Sequence, residues 1–241
     1  MSNVLTTCDV AVKFWGDLAC FTRPEFKVDR VTYPVMTPSA ARGVLEAIFW
    51  KPEIRWEIRE IWVLNPIKEI AIMRNEIENR QGIRSGPIFI EDRRQQRTGL
   101  FLKEPKYLVL ADIRLKEGVI HTKKKYLEQV TRHLLRGSCH HQPYLGTREC
   151  TAFFAPADGN EEPQPLDLEI GNMLFDIAYC CNSRQKDMEF LQHLSGKRKT
   201  VSGFARPLFF TARLQQGIMK VPWDKYMELY RWEGVHVKGA C

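Results

Sequence analysis

The chain has 241 residues, enough for one large domain or two small ones, and 44% of them are apolar, which excludes global disorder. Its formal net charge is +7 and its pI is about 9.0, a balance that favours polyanionic partners, nucleic acid first among them. No apolar run approaches the roughly 18 residues that span a bilayer, and the first residues lack the basic and apolar regions of a signal or transit peptide.

The seven cysteines (Cys8, Cys20, Cys139, Cys150, Cys180, Cys181 and Cys241) are odd in number and form no CxxC pair. Cys139 lies beside His140 and His141, but a second ligand pair at zinc spacing is missing. Reduced thiols in a cytosol fit this pattern, and no metal or other cofactor is called for.

Residues 8–15 alternate around Val10, Val12 and Phe14 and read as a strand. Residues 21–36 hold two prolines and several charges and read as a loop with a short extended piece. Thr37 then offers a cap, Pro38 suits the first helical position, and Ala41, Val44, Leu45 and Ile48 recur at helical spacing up to Pro52. Residues 54–64 and 67–77 read as strands. Residues 78–99 are polar and arginine-rich, with a short apolar run (Ile88, Phe89, Ile90), and read as an exposed hairpin. Residues 107–115 form a strand, and residues 123–136 a helix stopped by Gly137.

This order fits an α+β chain: a ferredoxin-like domain over residues 1–143 with an inserted β-hairpin. Short apolar runs at 150–154, 173–181, 207–214 and 218–221 suggest a small β-rich domain over residues 144–241, and KRKT (197–200) reads as a basic loop within it.

The helix at 123–136 is the sharpest pattern. On a wheel with Lys125 at zero, Arg132 and Arg136 fall within about 20° of it, with Gln129 beside them and Leu127, Val130 and Leu134 opposite. The three cations span roughly 16 Å, enough for two or three phosphates. Glu128 is the only acid between residues 118 and 148, and Lys123 and Lys124 lie just ahead, so the stripe is uncompensated. Arg93, Arg94 and Arg97 repeat the theme around two glutamines, a pairing suited to phosphates and base edges.

No HExxH, GxSxG or phosphate-binding glycine loop occurs, and no carboxylate cluster suited to two-metal chemistry. RNA supplies its own nucleophile, the 2′-OH, and then needs only a base, a cation and an acid. Lys125 for charge stabilisation, and Tyr126 or His121 for proton transfer, are the candidates.

The segments FWGDLACFTRPE (14–25), TPSAARGVLEAIFWKP (37–52), Arg74-Asn75-Glu76, RRQQR (93–97), YLGTREC (144–150) and PLFF (207–210) followed by Gly217 together resemble the subtype I-C Cas-five-d family. Its members are CRISPR-associated endoribonucleases of the RAMP superfamily. The resemblance implies a bacterial, cytoplasmic protein that cuts precursor RNA at the base of the repeat hairpin without metal. It also implies retention of the 5′ handle as a subunit of a surveillance complex, beside its backbone and large subunits. Two positions depart from the family pattern. Phe49 stands where Tyr or His is usual, and Tyr126 follows Lys125 where histidine is usual, which leaves the general base open. Arg42, Phe49, Arg74, Lys124, Arg132 and Arg136, with the hairpin arginines, are the RNA-binding candidates. The alternatives are a non-catalytic subunit that caps the handle and a duplex-DNA-binding module held by phosphate contacts.

Overall fold

A computed structural model describes residues 8–237 apart from 27, 79–81, 83–85, 88, 183 and 195–196. In chain order the elements are β1 (Val10–Trp15), β2 (Leu18–Ala19), α1 (Pro38–Ile48), β3 (Ile54–Val63), β4 (Glu69–Ile77), α2 (Ile90–Arg93), β5 (Arg94–Lys103), β6 (Lys106–Leu115), α3 (Lys123–Arg136), β7 (Phe153–Pro156), β8 (Leu168–Cys181), β9 (Met188–Leu194), β10 (Lys197–Leu214), β11 (Ile218–Lys220) and α4 (Asp224–Glu233).

They form mixed α and β structure with three antiparallel sheets, ordered β11-β3-β6-β1-β7, β8-β10-β9 and β2-β5-β4. In β1, Val10, Val12 and Phe14 face the core while Ala11, Lys13 and Trp15 are half-buried, the alternation a sheet with one core face requires. The central strand β6 is buried continuously from Tyr107 to Ile113, because α1 and α3 lie on one side and a second apolar cluster around Trp62, Leu108 and Leu110 covers the other.

The start of α1 is fixed by Thr37, whose Oγ1 accepts the Ala40 N–H at 3.2 Å, with Pro38 in the first turn. α3 covers Lys123–Arg136 and ends on Gly137 in the left-handed conformation (φ 61°), where the Ser138 N–H closes back on the His133 carbonyl at 3.0 Å. Both helices pack on the five-stranded sheet and touch each other.

The hairpin expected within 78–99 is instead built from β4, the strand read over 67–77, and β5, in register from Glu69 opposite Leu102 through Ile77 opposite Arg94, with the single turn α2 leading into β5. Ile88, part of its apolar run, lies outside the described residues. Strands β7 and β11 both follow residue 144, yet they pair with β1 and β3, so a cut at 143/144 crosses these two hydrogen-bonded pairs. One core cluster runs from Val10 to Val237.

Two features differ from the sequence expectation. KRKT opens strand β10 rather than forming a loop. Residues 224–233 form α4, which packs on β8 and is stitched to β3 through Tyr226, whose hydroxyl takes the Ile58 N–H at 2.6 Å.

Candidate nucleic-acid interface

α3 sorts its side chains as the wheel requires. Tyr126, Val130 and Leu134 are buried; Lys124, Lys125, Arg132 and Arg136 are exposed. None of these four cations is in an ion pair among the described residues. Lys123 differs, since it is tied to the Asp9 carboxylate. The uncompensated stripe is therefore open to solvent along the helix.

At the start of the helix, the His121 and Tyr126 rings stand edge to face with centroids 6.4 Å apart, and Lys125 is next in sequence. His121 is exposed, whereas Tyr126 is only 3% exposed. The Tyr126 hydroxyl is buried without a hydrogen-bond partner among the described residues. Burial first, and the Glu53 carboxylate second, raise its pKa above the ordinary phenol value, so at neutral pH it holds its proton and is a poor base.

Phe49 ends α1 with 3% exposure, and its ring lies edge to face against His133 at 5.6 Å. It packs, and offers no open face on which a base could stack. His133 has one ring nitrogen, Nδ1, buried and unpaired among the described residues.

Other predicted cations are committed internally. Arg42 makes a bidentate pair with Asp176 (2.7 and 2.8 Å) and a third bond to Glu46 at 2.7 Å. Burial alone would lower its pKa, but these two carboxylates outweigh burial and hold it well above the usual value. Arg74 and Arg97 are cross-strand neighbours on β4 and β5. Like charges placed opposite one another repel, and here acids separate them. Glu149 takes both Arg74 and Arg30, while Arg97 reaches Asp29 at 3.3 Å and Glu76 at 3.9 Å. Arg74 also lies over the Phe101 ring at 5.9 Å. Glu149 belongs to the loop TREC, whose path requires Gly146: φ is +88° there, and a Cβ would sit 1.9 Å from the Cys20 carbonyl oxygen. Arg93 and Arg94 are exposed at the far end of the hairpin.

The structure thus divides the candidates three ways. Lys124, Lys125, Arg132 and Arg136 share one open face, with Tyr126 and His121 at its start. Arg93 and Arg94 stand apart at the hairpin end. Arg42, Arg74 and Arg97 serve ion pairs.

Sequence reasoning passed over Glu53, Lys116 and His133. Glu53 Oε2 is buried and unpaired among the described residues, and the Lys116 N–H donates to the Glu53 carbonyl at 3.0 Å. Burial, helped by the Arg55 charge, pulls the Lys116 ammonium down to about 8 against the opposing carboxylates of Glu233, Glu53 and Glu46. Nothing local marks Lys116, because its environment comes from three distant segments. His133 was visible in principle, since it lies seven residues after Tyr126 and so on the same flank of the helix.

Against known proteins, the family model described as CRISPR-associated protein (Cas_Cas5), of the Cas5d type, matches residues 9–222. A Thermus thermophilus protein named CRISPR pre-crRNA endoribonuclease Cas5d is 52% identical over 229 residues, covering 95% of this chain and 98% of that one. A protein of the same name from Mannheimia succiniciproducens is 37% identical over 235 residues, covering 88% of this chain and 94% of its own length. A solved structure titled as a CRISPR-associated protein has a similar fold, with a TM-score of 0.60 at 18% identity over 90% of this chain and 92% of that one. The match over 9–222 and the two relatives, similar along nearly their whole lengths, place the chain in the Cas5d family of CRISPR-associated proteins.

Proposed function

We propose that the chain is a CRISPR pre-crRNA endoribonuclease that cuts precursor RNA at the base of the repeat hairpin and keeps the 5′ handle as a subunit of a type I-C surveillance complex. The observation that carries this reading is the open, unpaired cationic face of α3 beginning at Lys125, beside His121 and Tyr126. The names of the relatives support the endoribonuclease activity. The order β7-β1-β6-β3, with α1 and α3 as crossovers, supports a ferredoxin-like arrangement for this part of the chain.

The chemistry these residues suit is metal-independent. The 2′-oxygen bonds to the adjacent phosphorus as its proton leaves to a base, and the bond to the 5′-oxygen breaks as that oxygen takes a proton. The products are a 2′,3′-cyclic phosphate and a 5′-hydroxyl. Lys125 stabilises the charge that develops on the phosphorane, and Arg132 and Arg136 hold flanking phosphates. His121 is exposed, and an imidazole can both take and give a proton, which suits it to proton transfer; Tyr126 keeps its proton and suits the acid role. Cleavage of repeat RNA in EDTA should persist in the wild type and fall about a hundred-fold or more in Lys125→Ala, with RNA affinity changed by less than ten-fold. Wild-type cleavage by Lys125→Ala would sink the assignment.

A second reading, a handle-capping subunit that binds and does not cut, is favoured by one observation. Phe49 is apolar and Tyr126 is buried, so two positions near α3 lack an accessible base. Purified protein that binds repeat RNA tightly yet never shortens it would establish that reading.

A further inference from the structure

The basic segment KRKT (197–200) has no part in the site described above, and its structure gives it one. β9 and β10 pair from Leu194 opposite Lys197 to Met188 opposite Gly203. β8 joins β10 only from Gly203 onward. Residues 197–202 are therefore one strand of a two-stranded arm that extends past the third strand of its sheet. Gly203 marks the branch: a Cβ there would sit 1.9 Å from the Cys180 carbonyl oxygen, so only glycine lets the β8 backbone approach this closely.

The outer end of the arm is cationic. Arg198, Lys199 and Thr200 are exposed, and the one acid on these two strands, Glu189, stands at the base of the arm opposite Ser202. Neither Arg198 nor Lys199 is in an ion pair among the described residues. Arg198 is directly opposite His193 and shares its face, while Lys199, opposite Gln192, stands on the other face of the ribbon. The Arg198 face is located, because the His193 ring meets Trp50 edge to face at 5.0 Å. Trp50 follows the last turn of α1. The chain leaving α3 crosses the same end of α1, where the His140 and His141 N–H groups both donate to the Ala47 carbonyl at 2.8 and 2.9 Å. The segment that follows the α3 stripe and the His193 face of the arm thus both reach the C-terminal end of α1.

We propose that the β9–β10 arm is a second phosphate-binding track, and that arm and α3 together grip the base-paired stem of the repeat RNA. Two cationic tracks beside one helix end match a duplex, which presents two phosphate backbones; a single strand follows one track. A two-stranded ribbon can also lie against the wide, shallow minor groove of an A-form RNA stem, between its two phosphate backbones. The proposal rests on the reading that repeat RNA is the partner, but it needs no cleavage.

The test is equilibrium binding by the full chain to two RNAs of equal length and charge, the repeat stem-loop and a scrambled form that cannot pair. The variants are Arg198→Glu/Lys199→Glu and the milder Arg198→Gln/Lys199→Gln, each checked for a wild-type melting transition. Affinity for the stem-loop should fall about ten-fold or more, and the slope of log K against log salt should flatten by about 1.5. Affinity for the unpaired RNA should stay within about two-fold. Unchanged stem-loop affinity and slope in both variants would overturn the proposal, as would an equal loss on both RNAs. Wild-type protein that binds the stem-loop through the arm but never cuts it would end the endoribonuclease reading and leave this one standing.

Discussion

Tyr126 sits where two demands meet. Its ring packs in the core with 3% exposure, yet its hydroxyl is buried without a partner among the described residues. An orphaned buried hydroxyl destabilises a fold by about 1–3 kcal/mol. Tyr126→Phe should therefore raise stability by about 1 kcal/mol in urea denaturation. If the phenol also moves a proton during cleavage, the same variant should cut about a hundred-fold more slowly at unchanged RNA affinity. A gain in stability with wild-type cleavage would assign the residue to packing alone. From sequence, Tyr126 is a plausible proton carrier beside a lysine; its 100° offset from the stripe puts it on a flank of the helix, and only the tertiary packing shows that this flank is buried. Arg42, Arg74 and Arg97 are likewise opaque to sequence reading. Their acidic partners Asp176, Glu149 and Asp29 lie 134, 75 and 68 residues away, and a cation's availability depends on such partners as much as on its own position.

Among the elements, α1 and α3 were the most legible, because each carries a stop and an apolar stripe of helical period, and Thr37 caps α1 in addition. The β9–β10 arm was the least. With residues exposed on both faces it shows no alternation of apolar and polar positions, so its basic end reads as a loop. α4 was missed because its apolar positions are interleaved with charges over only ten residues. How the elements lock together also depends on polar pairs. Arg42 on α1 and Asp176 on β8 join the first helix to the C-terminal sheet through two parallel hydrogen bonds. Breaking a largely buried pair leaves a charge without its partner, so Asp176→Ala should lower stability by about 3 kcal/mol, read from the urea midpoint. Arg42→Met with Asp176→Leu should recover most of that loss; failure to recover it would show that the pair does more than neutralise charge.

At the scale of the whole molecule, the net charge of +7 was the first clue to a polyanionic partner, but the sum conceals its arrangement. Part of the positive charge is cancelled inside ion pairs, while α3, the hairpin end and the arm each present open cations. Global stability carries a pH signature from a single cation. Lys116 has its value lowered from 10.5 to about 8, by burial first and by Arg55 second. Between those limits the unfolded chain binds a proton that the folded chain does not, so this group makes stability rise as pH increases from about 8 towards 10.5. Below pH 8 both states are protonated and the burial penalty is present in full. Wild-type stability should therefore climb relative to Lys116→Met between pH 7.5 and 10 in matched urea titrations. A constant difference would mean that Lys116 titrates normally.

The placement of β7 and β11 bears on how the chain comes into being. They flank the five-stranded sheet on its two sides, and both are encoded after its three inner strands. A ribosome that has released only the first 150 residues presents β1 and β3 with bare backbone donors and acceptors, the state in which sheets recruit strands from neighbouring chains. Synthesis must run to β11 before the second border is sealed.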